Sequence, residues 1–172
     1  MIVEISICGP DADAGALATF FSANLTPEYI SHSELQSGRT TAAGAWVPNI
    51  TAVLEDEIRL AIAQDAGQRH VALSWNGVFA AHLDGRIVGI AIVQYARDAA
   101  LAYGVLEDLV VDAKLRGQQI GTRLIELVLA DMRASGVKRA FLESGINNHG
   151  PHALFHKIGF QDASVVMVKD LP

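Results

Sequence analysis

The chain has 172 residues, of which 51% are hydrophobic, and its formal net charge is −6 at pH 7. Residues 1–172 therefore suffice for one domain with a substantial core, and this composition excludes a disordered protein. The acidic balance argues against nucleic acid or an anionic membrane as a partner, while it mildly favours a cationic substrate. We expect a cytoplasmic protein, because no apolar run reaches the roughly 18 residues of a membrane span and the N-terminus lacks the basic start of a secretory signal.

The first fifty residues divide into a regular part and an irregular part. Alternating apolar and polar residues predict a strand over 2–8, and a helix is predicted over 12–23. Cys8 is the only cysteine, which excludes an intrachain disulfide, and it is interpreted as a small core residue of the strand. Residues 24–50 contain prolines and glycines that favour short turns and loops. The same segment contains these polar and aromatic residues: Tyr29, His32, Glu34 and Trp46.

The middle of the chain predicts a helix followed by antiparallel strands. The helix spans 51–66, with Thr51 as its N-cap. Short strands are predicted over 71–74 and 78–83, separated by a turn at 75–77.

A hairpin and a crossover unit complete the predicted sheet. Asp84-Gly85 is a strong hairpin signal that leads into a strand over 87–93. This strand is apolar on both faces, so we expect it at the centre of the sheet, covered by helices on either side. A strand over 102–111, a helix over 119–135 and a strand over 139–144 form a crossover unit, which makes these two strands parallel. The sheet is therefore predicted to be mixed.

The last part of the chain predicts one short helix and one strand. The helix spans 151–158, with Pro151 near its first position and Gly159 just past its end, as the two residues prefer. A strand over 165–168 is expected to close the sheet.

The connection from the strand to the long helix has the composition of a phosphate-binding turn. It reads Arg116-Gly-Gln-Gln-Ile-Gly-Thr122 and follows the end of a predicted strand, Leu106-Glu-Asp-Leu-Val-Val-Asp112. Backbone N–H groups at the start of a helix have no intrahelical partner, and Gly117 and Gly121 allow a diphosphate to approach them closely. The turn is not a P-loop, because no Lys follows its last glycine, and it lacks the three spaced glycines of the dinucleotide fingerprint.

The pattern that does fit is Q/R-x-x-G-x-G/A of acetyl-CoA-binding enzymes, with Arg116 opening it and Gly121 closing it. A second segment, 148–160, is similar to the pattern N-x-x-A-x-x-L-Y-x-K-x-G-F. On these two motifs, residues 70–170 resemble the GNAT N-acetyltransferase superfamily. The chain departs from the family pattern at three positions, where it has Gln119 for the middle glycine, Pro151 for alanine and Phe155 for tyrosine.

The resemblance implies a three-layer α/β/α fold of the α/β (α+β) class, with a mixed, mostly antiparallel central sheet and a parallel pair at the cofactor site. It implies acetyl-CoA as co-substrate, its diphosphate held by N–H groups of the turn and its pantetheine arm by the main chain of the strand. One strand N–H polarises the thioester carbonyl. Gln119 is tolerated in the turn if its φ is negative. The cofactor-binding residues implied by the resemblance are Leu109, Val110, Val111, Arg116, Gly117, Gln118, Gln119, Ile120, Gly121, Thr122, Asn148 and Phe155.

Two carboxylates near the end of the strand are the candidate catalytic groups. Attack on a thioester requires a neutral amine, and an alkylammonium with a pKa near 10.4 is only about 0.04% neutral at pH 7. Glu107 and Asp108 occupy successive strand positions, so their side chains point to opposite faces and only one can face the cleft. We favour Glu107 as the group that removes the proton. Either residue could instead be a solvated strand-end carboxylate or the ion-pair partner of an Arg or Lys.

The leaving group and the histidines raise two further alternatives. In the family, the tyrosine that Phe155 replaces protonates the departing thiolate, but a thiol with a pKa of about 8.5 leaves tolerably without that acid. His156 is a chemical substitute, although on a helix it points about 100° away from Phe155. His149, His152 and His156 bring zinc into consideration. We expect no metal, because the His-Glu-x-x-His arrangement and a fixed fourth ligand are missing.

The sequence thus predicts an N-acetyltransferase that transfers an acetyl group from acetyl-CoA to a primary amine of a small molecule. Transfer is expected by direct attack in a ternary complex, since no nucleophile for an acyl-enzyme is found. By the resemblance, residues 24–50 border the acceptor pocket. Three alternatives stay open: a protein N-terminus or lysine as acceptor, a longer acyl group, and a regulatory acyl-CoA-binding module without turnover, which Gln119 and Phe155 motivate. A homodimer is compatible with the sequence.

Overall fold

The computed structural model describes residues 2–69 and 71–171, which fall into two compact units. The first unit consists of residues up to 25 together with 49–142, and the second consists of residues 26–48 together with those from 143 onward. The strands, in chain order, are β1 (Val3–Ile7), β2 (Ser74–Leu83), β3 (Arg86–Ala96), β4 (Tyr103–Val111) and β5 (Arg139–Leu142). The helices are α1 (Ala14–Ala23), α2 (His32–Gln36), α3 (Ile50–Gln68), α4 (Ile120–Ala134) and α5 (His149–Ile158).

All five strands lie in the first unit and form one mixed sheet. Their order is β1-β2-β3-β4-β5, with antiparallel neighbours except for the parallel pair β4–β5. The predicted mixed sheet and its crossover unit are confirmed. Asp84 and Gly85 form the β2–β3 turn with φ of 51° and 76°, the positive values that a two-residue turn of this type needs.

The central strand is buried on both faces. Each residue from Val88 to Val93 is buried, and successive strand side chains point to opposite faces, so helices cover the sheet on both sides. Helix α4 approaches β3 and β4 at two glycines. A Cβ at Gly89 would lie 2.8 Å from Leu124 Cδ1, and a Cβ at Gly104 would lie 2.7 Å from Met132 Cε. The three-layer arrangement predicted from the sequence is thereby confirmed.

A polar network joins α3, β3 and α4 at the end of this unit. The Arg69 guanidinium contacts both carboxylate oxygens of Asp131, at 2.7 and 2.9 Å, and lies 2.8 Å from Asp65. The Tyr95 hydroxyl donates a hydrogen bond of 2.5 Å to Asp131. Burial and the Asp131 carboxylate raise the pKa of Tyr95 far above its ordinary value. The network therefore locks the phenol as a neutral donor and fixes two helices to the sheet.

Cys8 follows β1 and is buried, as predicted for a core residue. Burial, assisted by the charge of Asp65, raises the pKa of its thiol to about 11, so the group stays protonated and unreactive at neutral pH. None of the helices in the described part of the chain combines the length and the apolarity needed to cross a bilayer.

The predicted turn at 75–77 is wrong, as is the strand over 71–74. Strand β2 begins at Ser74 and runs through these positions without a break, and Trp75 is opposite Tyr95. The two rings stack with centroids 4.6 Å apart. Burying this aromatic pair outweighs the local turn preference of an Asn-Gly dipeptide.

Four predicted helix starts are also wrong by one or two residues. Helix α1 begins at Ala14 and not at residue 12, because the Asp13 side chain caps it, and helix α4 begins at Ile120 and not at residue 119.

Helix α3 begins at Ile50 with Asn49 in the capping position, while the hydroxyl of Thr51 donates to Ser22 Oγ on α1 at 2.9 Å. The Thr51 hydroxyl, predicted to cap α3, therefore makes a tertiary contact with α1 instead. Helix α5 begins at His149, two residues before Pro151, which still lies in the first turn where no intrahelical N–H donor is needed.

The predicted closing strand over 165–168 is not formed. These residues are outside any strand, and their side chains are between 57 and 90% exposed. The described residues of the second unit contain no strand with which the segment could form a ladder. High β-propensity alone does not make a strand, because the stabilisation comes from pairing and burial.

Candidate active site

The pairing register between β3 and β4 shifts at one point. Ile92 is opposite Asp108 and Val93 is opposite Leu106, which leaves Glu107 as the extra residue of a β-bulge. The parallel ladder with β5 ends at the same place, at the pair Leu106–Leu142. Residues 107–111 thus extend past the parallel ladder, and the bulge re-aims the chain there.

The connection from β4 to α4 is a short, exposed turn. Asp112 caps a 3-10 turn over Ala113–Leu115 by accepting a hydrogen bond of 2.9 Å from the Lys114 N–H. The chain then turns at Gly117, whose φ is 80°. Arg116 and the two residues after Gly117 are exposed. The predicted cradle residues therefore form one accessible turn that leads directly into the helix.

Helix α4 begins with backbone donors that the helix itself does not use. Its first intrahelical bond runs from the Arg123 N–H to the Gln119 carbonyl at 3.0 Å. The N–H groups of Ile120, Gly121 and Thr122 precede this bond, and the Gln119 side chain forms no capping hydrogen bond. These donors lie at the positive end of the helix dipole, beside a turn that carries an arginine. The donor set fits a diphosphate.

Gln119 adopts a glycine-like backbone conformation. Its φ is 62°, so the condition stated above, a negative φ at this position, is not met. A left-handed conformation costs a residue with a Cβ roughly 1–2 kcal/mol. The turn consequently follows the path that a glycine would take, and local strain accompanies the substitution.

The two predicted carboxylates differ sharply in exposure. Glu107 is exposed, whereas Asp108 is only 1% exposed. Leu109 and Val111 are half-buried and Val110 is buried, so side chains that pack in the core hold the main chain of this stretch in place. Of the two carboxylates, Glu107 is the one that a solvent-borne amine can reach.

The other predicted site residues belong to the second unit. Asn148 occupies the capping position of α5, and its amide donates to Ser144 Oγ at 3.4 Å. Phe155 is buried, with its ring edge-on to Phe160 at a centroid distance of 6.2 Å. His156 is exposed and its Nε2 lies 2.9 Å from the Asp162 carboxylate. Phe155 and His156 thus have opposite environments, as expected for neighbours on a helix.

Among the described residues, the histidines of α5 do not belong to a group that could hold a metal ion. The rings of His149 and His152 pack edge to face with centroids 6.2 Å apart. Within residues 2–69 and 71–171, no group of three or more His, Cys, Asp or Glu side chains is arranged to hold a metal ion.

The second unit contains a histidine–carboxylate pair that was not predicted from the sequence. Nδ1 of His32 lies 2.5 Å from Oε1 of Glu143, and both side chains are partly buried. Ser33 donates to the same carboxylate from its N–H at 3.2 Å and from its hydroxyl at 3.3 Å. The two halves of the pair are more than a hundred residues apart in sequence. No local pattern joins them, although His32 lies in the segment expected to border the acceptor pocket.

With this geometry established, the comparisons with known proteins assign the family. Residues 49–160, well over half of the chain, match the sequence pattern described as "Acetyltransferase (GNAT) family". The chain belongs to this family of acetyltransferases. The match spans the strand, the turn, the helix and the second motif on which the GNAT resemblance was based.

Two curated relatives are similar over part of the GNAT chain. An IAA acetyltransferase of Azospirillum brasilense is 35% identical over 82 residues, which are 48% of this chain and 52% of the relative. A glucosamine 6-phosphate N-acetyltransferase of Arabidopsis thaliana is 29% identical over 66 residues, 38% of this chain and 42% of the relative. The chain thus spans about half the length of the curated relatives it matches.

Solved structures share the fold over nearly the whole chain. A structure of AAC(6')-Iy in complex with the bisubstrate analogue CoA-S-monomethyl-acetylneamine superposes with a TM-score of 0.67. The two chains are 15% identical, and the likeness covers 100% of this chain and 99% of the other. At this identity the likeness establishes the GNAT fold alone.

Proposed function

We propose that this protein is an N-acetyltransferase that transfers an acetyl group from acetyl-CoA to the primary amine of a small molecule. The observation that carries the proposal is that the N–H groups at the start of α4 have no partner within the helix. The helix follows strand β4, which contains a β-bulge and extends beyond its parallel ladder with β5. Membership of the GNAT family supports it. The family pattern includes residues of both units, so we further propose that the chain acts as one acetyltransferase domain.

Acetyl-CoA would be held by two parts of the first unit. Of the predicted residues Gln118 to Thr122, the N–H groups of Ile120, Gly121 and Thr122 would bind the diphosphate, with Arg116 adding a fixed positive charge. The N–H of Gln118 already donates to the Leu115 carbonyl at 3.3 Å. The main chain of residues 109–111 would bind the pantetheine arm, and one N–H would polarise the acetyl carbonyl, a contribution of about 3 kcal/mol when such a donor is preorganised. Asn148 and Phe155 are proposed as further contacts on the resemblance. The bound co-substrate supplies the activated acyl group.

Direct transfer sets a requirement on the acceptor. An alkylammonium must lose a proton before its nitrogen can attack, and Glu107 is the strand carboxylate exposed enough to receive it. The buried position of Asp108 makes that residue the weaker of the two sequence-based candidates. A small amine as acceptor is supported by the relative named for glucosamine 6-phosphate and by the neamine-containing analogue in the similar structure.

An acceptor of a second kind is the main competitor. One structure with a TM-score of 0.63 is named for a ribosomal-protein-alanine N-acetyltransferase, so a protein amine stays in consideration. For either acceptor we propose a cytoplasmic location, as expected from the sequence.

The first experiment is a thermal-shift titration with acetyl-CoA, CoA and adenosine diphosphate. A ligand at 100 times its Kd stabilises the folded state by about 2.7 kcal/mol, which is a shift of a few degrees for a chain of this size. We expect Arg116→Ala to weaken acetyl-CoA binding about tenfold through loss of a charge-assisted phosphate contact. Arg133→Ala, at the opposite end of α4, is the matched control. No shift at millimolar acetyl-CoA would reject the proposed co-substrate.

A turnover assay then distinguishes the enzyme from a regulatory acyl-CoA-binding module. This alternative is motivated by Phe155, a buried residue that cannot donate a proton to the leaving thiolate. A panel of amines is screened for amine-dependent release of CoA. If Glu107→Gln retains acetyl-CoA binding but loses release of CoA, the protein is an enzyme that uses this carboxylate. Binding without release of CoA by the wild type, across small amines and peptides with free N-termini, would favour the module.

A further inference from the structure

The turn between β4 and α4 is held mainly by hydrogen bonds within itself. The Lys114 N–H donates to the Asp112 carboxylate at 2.9 Å, and the Leu115 N–H donates to the Asp112 carbonyl at 2.9 Å. The Gln118 N–H donates to the Leu115 carbonyl at 3.3 Å. These local bonds give the turn its shape, but they do not fix it to the rest of the first unit.

One hydrogen bond joins this turn to a distant part of the first unit. The Ala113 N–H donates to Asn24 Oδ1 at 3.2 Å, across 89 positions of the chain. Among the described residues, it is the one hydrogen bond or ion pair that joins residues 113–118 to a part of the chain outside 112–118. Asn24 is therefore the point at which the core holds the turn between its two covalent ends.

The Asn24 amide is oriented by two hydrogen bonds. Its Nδ2 donates to the Phe20 carbonyl at 2.9 Å, so its Oδ1 is the atom that faces the Ala113 N–H. The reversed orientation would set an amide donor against the Ala113 N–H and an oxygen against the Phe20 carbonyl oxygen. The hydrogen-bond pattern thus makes Asn24 an acceptor toward the turn.

The helix that precedes Asn24 is anchored in the core. Asn24 occupies the C-terminal capping position of α1, where its own N–H donates to the Phe21 carbonyl at 3.0 Å. Three side chains of this helix are buried, namely Leu17, Ala18 and Phe21. A buried helix moves little, because its contacts must be broken together. Asn24 consequently holds the turn from a fixed position.

The donors proposed to bind the diphosphate lie at the far end of the same turn. The N–H groups of Ile120, Gly121 and Thr122 precede the first intrahelical bond of α4. Arg116 lies between Ala113 and these donors. Main-chain donors bind an anion best when they already point at it, because a mobile turn must first lose conformational freedom. Holding the turn at Ala113 therefore favours binding of an anion at its end.

We infer that Asn24 is a positioning residue for acetyl-CoA. Its side-chain oxygen holds the turn at Ala113, so that Arg116 and the N–H groups at the start of α4 are in place for the diphosphate. The inference rests on the proposed acetyl transfer, and it adds a residue that neither of the two family motifs contains.

A purely structural role of Asn24 makes a different prediction. As a helix cap alone, Asn24 would affect the stability of α1 and leave the affinity for the co-substrate unchanged. As a positioning residue, it changes the affinity for ligands that carry the diphosphate. The dissociation constant for CoA is therefore the quantity that distinguishes the two roles.

The test measures the Kd of CoA and acetyl-CoA for Asn24→Ala by titration calorimetry. The loss of one neutral hydrogen bond corresponds to a factor of about three to ten, so we expect both Kd values to rise by that factor. Asn49→Ala is the matched control, because Asn49 also occupies a helix cap and its side chain makes no capping hydrogen bond. It should keep the wild-type Kd. An unchanged Kd in Asn24→Ala would overturn the inference.

A second control loosens α1 without altering the turn. Thr51→Val removes the hydrogen bond of 2.9 Å from α3 to Ser22 on α1. We expect a lower Tm with the wild-type Kd for CoA. If Thr51→Val raises the Kd as much as Asn24→Ala does, Asn24 acts only through the stability of its helix, and the inference is wrong.

A further variant removes the donor of the same hydrogen bond. Ala113→Pro deletes the N–H at the first position of the 3-10 turn, where proline is tolerated. Asp112, with ψ of 120°, already has the extended backbone that precedes a proline. In this background Asn24→Ala should change the Kd for CoA by less than about twofold. A further loss as large as in the wild-type background would show that Asn24 acts elsewhere.

Steady-state kinetics separate this inference from the proposed function. With an amine that the wild type acetylates, Asn24→Ala should raise KM for acetyl-CoA, while KM for the amine and kcat at saturating acetyl-CoA keep their wild-type values. If the wild type binds neither CoA nor acetyl-CoA, the proposed function fails and the inference falls with it. If the wild type binds CoA and Asn24→Ala raises only KM for the amine, the inference alone is overturned.

Discussion

The cradle proposed for the co-substrate and the His32–Glu143 pair are assembled in opposite ways. The cradle in the first unit comes from one continuous stretch, residues 106–122, and uses mainly main-chain N–H groups. The His32–Glu143 pair in the second unit joins residues that are far apart in sequence and uses side chains. Main-chain recognition depends little on which side chain a residue carries, whereas a side-chain pair is lost with either partner. Substitutions should therefore affect the two regions differently.

The largest effect on stability is expected in the polar network at the end of α4 opposite to the cradle. Asp131→Ala removes the shared partner of Arg69 and Tyr95, which leaves a largely buried guanidinium with one carboxylate fewer. We expect a loss of about 2–3 kcal/mol, seen as a fall in Tm of roughly 5–10 °C. Asp56→Ala, at an exposed ion pair with Arg59, is the control and should change little. An equal effect of both variants would show that the network contributes no more than a surface pair.

The next largest effect is expected at Gly145 in the second unit. Gly145→Ala places a Cβ against two carbonyl oxygens of the backbone, which cannot rotate away. A destabilisation of about 1–3 kcal/mol is expected, together with a lower kcat/KM for the amine. Acetyl-CoA should still raise the Tm. Gly150→Ala, which has open space at its Cβ, is the matched control. Loss of acetyl-CoA binding in Gly145→Ala alone would indicate that the change displaces Asn148, whose N–H donates to the Gly145 carbonyl at 2.9 Å and which is proposed above as a contact of acetyl-CoA.

A smaller effect of opposite sign is expected within the cradle. Gln119→Gly relieves the left-handed conformation at φ 62° and should stabilise the fold by up to about 1 kcal/mol, without loss of acetyl-CoA binding. Gln118→Gly is the matched control, because its φ is not positive and the change only adds freedom to the unfolded chain. Urea unfolding of the two variants should give shifts of opposite sign. Destabilisation by both would mean that Gln119 contributes more than its backbone conformation.

The smallest effect is the pH dependence of Glu143. Its folded-state pKa is lowered from 4.5, so its contribution to stability is present above that value and is lost as the pH falls through the folded pKa. Wild type and Glu143→Gln should differ in unfolding free energy at pH 7 by less than about 1 kcal/mol, since the pair is partly exposed. The difference should shrink below about pH 4. A difference that is constant with pH would indicate lost packing instead of lost charge.

Local sequence signals predicted most of the first unit well. Asp84-Gly85 gave the hairpin, the apolar run in β3 gave the central strand, and the glycines of the turn located the start of α4. Each of these depends on backbone preferences or on periodicity within a few residues. The errors arose where a contact between distant residues outweighed a local preference. At Trp75, stacking on Tyr95 extends β2 through residues that were predicted to form a turn.

The sequence by itself determined the mixed sheet, the crossover from β4 to β5 and the turn proposed to bind an anion, because these follow from short-range periodicity and from where glycines permit unusual backbone angles. Tertiary structure alone decided which carboxylate on β4 is exposed, that residues 165–168 remain outside the sheet, and that His32 meets Glu143. Burial and the pairing of distant side chains depend on the packing of the whole chain, and no neighbouring residue encodes them.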